Sequence, residues 1–375
     1  MKRRQFITRA ATAAAAATAA GCGSGEPAEG AAVSRAPQQA EYRWKMVTTW
    51  PPNFPGLGSG ANELAKTLEA CSNGRLRIKV YGAGELVPAF EVFDAVSRGT
   101  AELGHAGAYY WKGKAETASF FSSIPFGLTG AEMNAWLWHG GGMELWRETY
   151  APFGVLPLPA GNSGVQMAGW FKKEIASVAD LKGLKMRIPG LGGEVLARAG
   201  GTPVTLAAGD IFTALETGNI DAAEFVGPYN DLAFGLHKAA KFYYYPGWQE
   251  PGSVLECLVN RKAFEALPPD LQQVVLTACR AVNDSMLAEY NGRSFGALAQ
   301  LVDVHGVQLR RLPDDVLRLL RRLSREVVEE KAGADPLFRR TLESYAKFEA
   351  GVAKWTRIGE QAYLEARALA GAPGR

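Results

Sequence analysis

The chain has 375 residues, 47% of them apolar and 21% charged, with 43 glycines, a globular composition long enough to bury more than one core. Disorder needs fewer hydrophobes and a larger net charge, and no repeat of about 20–50 residues runs through the chain, which sets solenoids and propellers aside. The formal charge of +3 comes from the first 21 residues, where Lys2, Arg3, Arg4 and Arg9 meet no acid; the remainder carries −1, so electrostatics points to no nucleic-acid partner.

The first segment, Lys2-Arg3-Arg4-Gln5-Phe6-Ile7-Thr8 followed by an alanine-rich stretch and Gly21-Cys22, reads as an export signal over 1–21. Its paired arginines resemble the twin-arginine type, with Lys2 where Ser or Thr is usual. Ala19-Ala20-Gly21-Cys22 resembles a lipoprotein processing box, with Ala19 where Leu is commonest. Cys22 is therefore the candidate lipidation site, the plainer reading being an ordinary thiol near a conventional cleavage site. Residues 22–41, rich in Gly, Ser, Ala, Pro and Glu, suit a flexible tether. No later stretch offers the roughly 18 consecutive apolar residues of a membrane span, so a soluble or lipid-held mature protein is expected.

From Tyr42 the pattern alternates short strand-like runs with amphipathic segments, the rhythm of α/β proteins. Arg43 to Trp50 reads as a strand. The helix after it carries Ala61, Leu64, Ala65, Leu68 and Cys71 at helical spacing and stops at Asn73-Gly74. Strands are predicted over 76–81 and 101–106, with a helix over 89–97 between them. Pro157, Pro159 and Gly161 read as a break that ends a first lobe, 42–160. The second lobe, 161–252, contains strands over 165–171, 184–188 and 222–226 and helices over 193–199 and 211–217. Val254 to Asn260 is a strand returning to the first lobe within a stretch 253–312. The last third reads as long helices over 268–298, 313–331 and 336–369, the last two within a C-terminal region 313–375. Pro268-Pro269-Asp270 and Pro313-Asp314-Asp315 suit helix starts, because proline loses no bond there and acids favour the positive end of the dipole. Arg318, Arg321, Arg322 and Arg325 are followed at once by Glu326, Glu329 and Glu330, a solvated helix face. Two α/β lobes joined by crossing segments form a hinged binding protein with its ligand in the cleft.

Enzyme signatures fail when tested. No G-x-G-x-x-G opens a helix, Gly113-Lys114 is followed by Ala115 where a phosphate loop needs Ser or Thr, and Gly161-Asn162-Ser163-Gly164 lacks the spacing of a nucleophile elbow. His105, His139, His237 and His305 stand far apart without paired spacing. Cys71, Cys257 and Cys279 fit small buried hydrophobes, and Cys257 with Cys279 can also pair in an oxidising compartment. Residues 162–252 remain, where polar residues interrupt the strand ends in an ordered way. Arg187, where a strand meets Pro189-Gly190, can grip a carboxylate through two parallel hydrogen bonds and cannot lose its charge. Gln166 and Glu224, on two other strands of the same lobe, carry oxygen ligands.

Asp180-Leu181-Lys182-Gly183-Leu184-Lys185-Met186-Arg187-Ile188-Pro189-Gly190 resembles the signature stretch of the solute-binding proteins of TRAP transporters, the tripartite ATP-independent periplasmic systems. Asn162 to Lys173, Ile211 to Leu215 and Gly218 to Pro228 resemble further blocks in the same order. Gly227 to Leu236 and Tyr243-Tyr244-Tyr245-Pro246-Gly247-Trp248 are similar to the branch that binds 2-oxo acids. The resemblance covers about residues 42–369. It implies a two-lobed α/β fold, no catalysis, capture of a small monocarboxylate such as a 2-oxo or 2-hydroxy acid, and cleft closure followed by docking on the membrane permease subunits. It maps the carboxylate-binding arginine onto Arg187 and a metal site onto Gln166, Glu224 and the main-chain carbonyl of Phe225. One protein carboxylate on an all-oxygen site favours Na⁺ over Ca²⁺. The branch usually has tryptophan where this chain has Phe225, which removes an indole N–H from the pocket wall. Asn162 joins the ligand-binding set, and Trp50, Tyr109, Tyr110, Tyr229 and Trp248 are candidate walls. The resemblance also implies exchange of the last helix between two protomers; Leu337, Leu342, Tyr345, Phe348, Val352, Trp355, Ile358 and Tyr363 form an apolar stripe along it, which either the chain's own surface, as a monomer, or a partner's, as a swapped dimer, can bury. The rival reading is a secreted enzyme acting on an oxo acid with Glu224 as a base beside a metal.

Overall fold

The computed structural model describes residues 41–369; Cys22, the leader and nearly all of the tether lie outside them. In chain order β1 (Tyr42–Thr48), α1 (Leu57–Cys71), β2 (Leu76–Tyr81), α2 (Val92–Ser97) and β3 (Leu103–Ala106) are followed by α3 (Gly130–His139), α4 (Gly142–Tyr150) and β4 (Val155–Asn162). Next come β5 (Gly169–Phe171), β6 (Lys185–Arg187), α5 (Gly190–Arg198), β7 (Thr202–Val204), α6 (Ile211–Thr217), β8 (Ala222–Ala223), α7 (Pro228–Phe234) and β9 (Phe242–Tyr245). The chain ends with β10 (Val254–Asn260), α8 (Arg261–Glu265), α9 (Pro269–Ala299), β11 (Gln308–Arg311), α10 (Asp314–Ala334), α11 (Pro336–Thr356) and α12 (Ala362–Leu369).

Two sheets organise these elements into the expected two-lobed α/β fold. The first has the order β2-β1-β3-β10-β4, with β1 parallel to both β2 and β3 and β10 antiparallel to β3 and β4. The second has the order β11-β9-β5-β8-β6-β7. α1 forms because Leu57, Ala61, Leu64 and Leu68 fall on one buried face. Each fully buried leucine there stabilises the fold by about 1.5–3 kcal/mol. The helix stops where Asn73 and Gly74 both take positive φ, a conformation open to these two residue types.

The expected limits of β2, α6 and β10 coincide with those observed. The break expected at Pro157 and Pro159 is instead the interior of β4. Both prolines are tolerated because β4 is the outer strand of its sheet and pairs only with β10, so its missing N–H groups face away from any ladder. The strand expected over 165–171 shrinks to β5, because Gln166 and Met167 give their N–H groups to Glu250 and Val226 outside any ladder. Cys71, expected to be buried, is exposed at the end of α1. Cys257 and Cys279 are buried free thiols in contact, and the hydrogen bond of the Cys257 thiol to Cys279 together with burial raises the Cys257 thiol well above its usual range.

β10 also carries Glu256, fully buried in the first lobe. Its carboxyl accepts from the indole N–H of Trp111 and, at 2.9 Å, from the Tyr150 hydroxyl. Burial without a cationic partner pushes its pKa up to about 8 against those two hydrogen bonds. In the unfolded chain the same group titrates near the ordinary glutamate value, about 4.3. Its stabilising contribution is therefore complete below that value and is lost as pH rises through about 8. Glu256→Gln, which keeps the shape, accepts from Trp111 through its amide oxygen and donates its amide N–H to the Tyr150 hydroxyl oxygen, is expected to gain stability relative to wild type between pH 5 and pH 8.5, by on the order of 3 kcal/mol. Urea unfolding at the two pH values checks this, and an unchanged difference between the proteins would show that Glu256 is already ionised in the fold.

Candidate functional site

Four strands of the second sheet end at one place. Arg187 is the last residue of β6, and β8 beside it puts Ala223 level with Arg187, so Glu224 and Phe225 emerge just past the strand end. β5 runs antiparallel to β8, which brings its preceding residue Gln166 to the same edge, and β9 returns antiparallel to β5 so that Gln249 and Glu250 follow it there. This convergence depends on close backbone approach. A Cβ on Gly169, at φ +120°, would lie 2.6 Å from the Ala223 carbonyl, and one on Gly247 would lie 2.1 Å from that of Gln166. Neither position has room for a side chain.

Arg187 is 1% exposed. Its Nη1 donates to the Glu224 main-chain carbonyl at 2.9 Å and to the Glu224 carboxylate, and its Nη2 lies 3.4 Å from the Tyr110 hydroxyl. Its guanidinium sits 5.5 Å from the Phe225 ring centre. Gln166 donates to Glu250 at 2.8 Å and to Ser163 at 3.2 Å, and Ser253 donates to the same Glu250 carboxylate. Burial raises the Glu224 carboxyl well above the usual range, Arg187 draws it back, and Glu250 and Asp231 push it further up. Glu250 is likewise raised by burial, to about 7, against its bonds to Ser253 and Gln166 and the pull of Arg187. Arg187 keeps its charge: burial disfavours it most, and Glu224 together with Tyr110, Tyr109 and Glu250 more than restores it.

The first lobe supplies the opposite wall. Tyr109 and Tyr110 pack edge to face at 4.6 Å, and Trp50 lies 6.2 Å from Tyr110. The Trp50 indole donates to His105 Nδ1 at 2.8 Å, so the proton of that imidazole is on Nε2, which faces the Ala160 carbonyl at 3.1 Å. Burial lowers the His105 pKa to about 4, leaving a neutral ring that orients Trp50. The lobes are tied across the cleft by Lys112, which reaches the Gly190 carbonyl at 3.1 Å and Glu194 at 2.7 Å. Asn230 donates to the Pro55 carbonyl at 2.6 Å.

Arg187, Gln166, Glu224, Phe225, Tyr109, Tyr110 and Trp50 thus come together. Trp248 packs on Phe126 at 5.8 Å, and its carbonyl receives the Phe126 N–H. Asn162 uses its amide on Gly130, Asn134 and Gly164, and Tyr229 bonds Glu289 on α9; neither touches Arg187. Gln249 and Glu250 were missed: they are adjacent polar residues four and five positions past the end of the tyrosine-rich β9.

The donor set suits a hard cation. The oxygens Gln166 Oε1 and Glu224 Oε2 are buried without a hydrogen-bond partner. The Gln166 nitrogen faces the Glu250 carboxylate, so its oxygen must face away from it. Among the described residues no group of three His, Cys, Asp or Glu side chains is arranged for a metal, so an ion here would rest on amide and main-chain oxygens as well as carboxylates. Among the described residues no helix is long and apolar enough to cross a membrane.

Comparison with known proteins fits this geometry. The family described as bacterial extracellular solute-binding protein, family 7, matches residues 46–334. The chain is 42% identical over 366 residues, 97% of its length and 98% of the relative's, to the monocarboxylate 2-oxoacid-binding periplasmic protein of Nostoc sp. (strain PCC 7120). A TRAP periplasmic solute-binding protein from Pseudoalteromonas atlantica, solved with bound sodium and pyruvate, is 43% identical with a TM-score of 0.85, covering 87% of this chain and 99% of that one. One from Bordetella bronchiseptica, a mixed occupancy dimer with copurified calcium and picolinate, is 38% identical with a TM-score of 0.87, covering 88% and 98%. Members of this family are the substrate-binding component of a transporter and not enzymes, so the rival reading of Glu224 as a catalytic base is set aside. The chain belongs to bacterial extracellular solute-binding protein family 7, the solute-binding proteins of TRAP transporters.

Proposed function

We propose that the chain captures a small 2-oxo or 2-hydroxy monocarboxylate between its lobes and presents it to the membrane permease subunits. The observation that carries this reading is one buried guanidinium, unable to lose its charge, beside acceptor oxygens that have no partner in the protein. A carboxylate satisfies the first and a cation the second. In this reading Arg187 holds the acid's carboxylate, while Gln166, Glu224 and the Phe225 carbonyl hold Na⁺ or Ca²⁺. The cation neutralises charge between the carboxylate and the protein oxygens. Glu250 is a second carboxylate at the site, which strengthens the case for Ca²⁺ relative to a count of Glu224 alone. Tyr109, Tyr110 and Trp50 close the pocket from the first lobe, so ligand contacts made to both lobes favour the closed form. Export through the twin-arginine-like leader and a lipid on Cys22 would keep the protein outside the cytoplasm at the membrane face where its permease sits.

Arg187→Lys is expected to weaken acid binding by on the order of 2–5 kcal/mol, because a point ammonium cannot reproduce the planar fork. Calorimetry on the folded variant checks this, and near-normal affinity would remove Arg187 from the carboxylate site. The ion and the acid are expected to be linked: verified ion removal should weaken acid binding, and Glu224→Ala should reproduce the loss. Equal acid affinity in stripped and loaded protein would sink the bridging role.

The C-terminal helix supports a dimer. Its first part packs at home, with Phe338 and Tyr345 buried and the Tyr345 hydroxyl accepting the Leu128 N–H at 2.7 Å. Its far part leaves Trp355 67%, Ile358 71% and Tyr363 65% exposed, an apolar stretch that a second protomer would cover. Light scattering at micromolar concentration is expected to give the mass of two chains for the full protein and of one for a chain ending at Lys354. A single-chain mass for the full protein would leave the helix unexchanged.

A further inference from the structure

Resting on the reading of the Phe225 carbonyl as an ion ligand, we propose that Asp231 is a positioning residue for the cation site: both its oxygens are taken up by protein donors, and it acts by aiming that carbonyl. Asp231 lies on α7 and is 1% exposed. Its Oδ2 accepts from the Trp170 indole at 2.9 Å and from the Tyr243 hydroxyl at 2.7 Å. These two residues are paired across β5 and β9, and their rings stack with centres 4.1 Å apart. Its Oδ1 accepts from the Val226 N–H at 3.5 Å, and the Gly227 N–H donates to the same carboxylate. Side chains of β5 and β9 thus set where the carboxylate lies, and the loop after β8 hangs two main-chain N–H groups on it.

Each carbonyl of that loop is then specified. The Glu224 carbonyl accepts from Arg187 at 2.9 Å, and the Val226 carbonyl accepts the Met167 N–H at 3.0 Å. Between them lies the Phe225–Val226 peptide, whose N–H is turned to Asp231. Among the described residues the cis peptide is Tyr245–Pro246, so this one is trans and its carbonyl points the opposite way, away from Asp231. No main-chain N–H among the described residues donates to that carbonyl. An amide cannot replace the carboxylate here. Trp170 and the two main-chain N–H groups can only donate, and asparagine has one acceptor oxygen. Turned to keep Trp170, its NH₂ faces Val226 and Gly227 and releases the peptide that carries the ligand oxygen.

The test titrates the full chain, free of acid, with Ca²⁺ and separately with Na⁺, in wild type, Asp231→Asn and Tyr243→Phe. Each protein carries phenylalanine labelled with ¹³C at the carbonyl carbon, so that calorimetry reads affinity and infrared difference spectra read the carbonyl. In wild type the ion is expected to shift one labelled band. In Asp231→Asn affinity is expected to fall about 10–100-fold, with the band shift reduced at saturating ion. Tyr243→Phe, which removes one donor from the far oxygen, is expected to lose stability and to keep both ion affinity and band shift. A full band shift in Asp231→Asn overturns the proposal whatever its affinity, because the lost charge alone would then account for weaker binding. Equal loss of affinity in Tyr243→Phe overturns it as well. Should Asp231→Asn fail to fold, amide hydrogen exchange on ion-free wild type decides: Val226 and Gly227 are expected to be protected already, and protection that arises only on adding ion overturns the proposal. Absence of any labelled-band shift in wild type with either ion would instead refute the reading of Phe225 as a ligand.

Discussion

The buried charge of Arg187 is the constraint around which the second lobe is arranged. A guanidinium taken out of water is costly unless its hydrogen bonds and its charge are both answered nearby. The answers come from three separate places in the fold: the Glu224 main chain and side chain directly, Tyr110 from the facing lobe, and Glu250 at longer range. None of these is a sequence neighbour, so sheet order and strand direction have to be right before the charge can be buried at all. Two glycines that admit no Cβ, Gly169 and Gly247, are part of the same requirement.

The arrangement holds more negative charge than one arginine balances. Glu224 and Glu250 are both buried, and burial raises both above the ordinary carboxylate range. Their uptake of a proton and their uptake of a cation are alternative ways of relieving the same excess. The contacts between lobes are of a different kind. Lys112 with Glu194 and Lys331 with Glu194 and Glu116 are partly exposed pairs, each weak alone. They stand beside apolar packing between the lobes, where Phe54 stacks on Phe234 at 4.2 Å and meets Phe225 edge to face at 5.9 Å.

Much of the fold was legible because its periodicities are strong. β2 and β10 alternate or run apolar between turn residues, and the long helices start at proline and acid pairs. β4 was illegible for a physical reason: prolines argue against a strand unless it is an outer one, and position in a sheet is a tertiary property. At the site, Arg187 and Glu224 stood out as polar residues at the ends of apolar runs. Gln249 and Glu250 did not, since the irregular chain after β9 has no period to mark which side chains turn inward. Asn162 belonged to a polar block in sequence, but its amide is consumed by α3 and the following loop.

The last helix contains a turn of π geometry at Arg357–Gln361, between α11 and α12. Such a turn accommodates one additional residue, so residues beyond it lag the α-helical count by one, roughly 100° of rotation. Trp355 and Tyr363, eight apart in sequence, then sit as though seven apart, with Ile358 between them at a spacing of three and an effective four. These are the offsets of a single straight seam. In an uninterrupted α-helix Tyr363 would have rotated away from Trp355 and the apolar surface would have wound around the rod. The inserted residue thus converts a spiralling surface into a flat edge, which a second helix can follow along its whole length without itself having to bend.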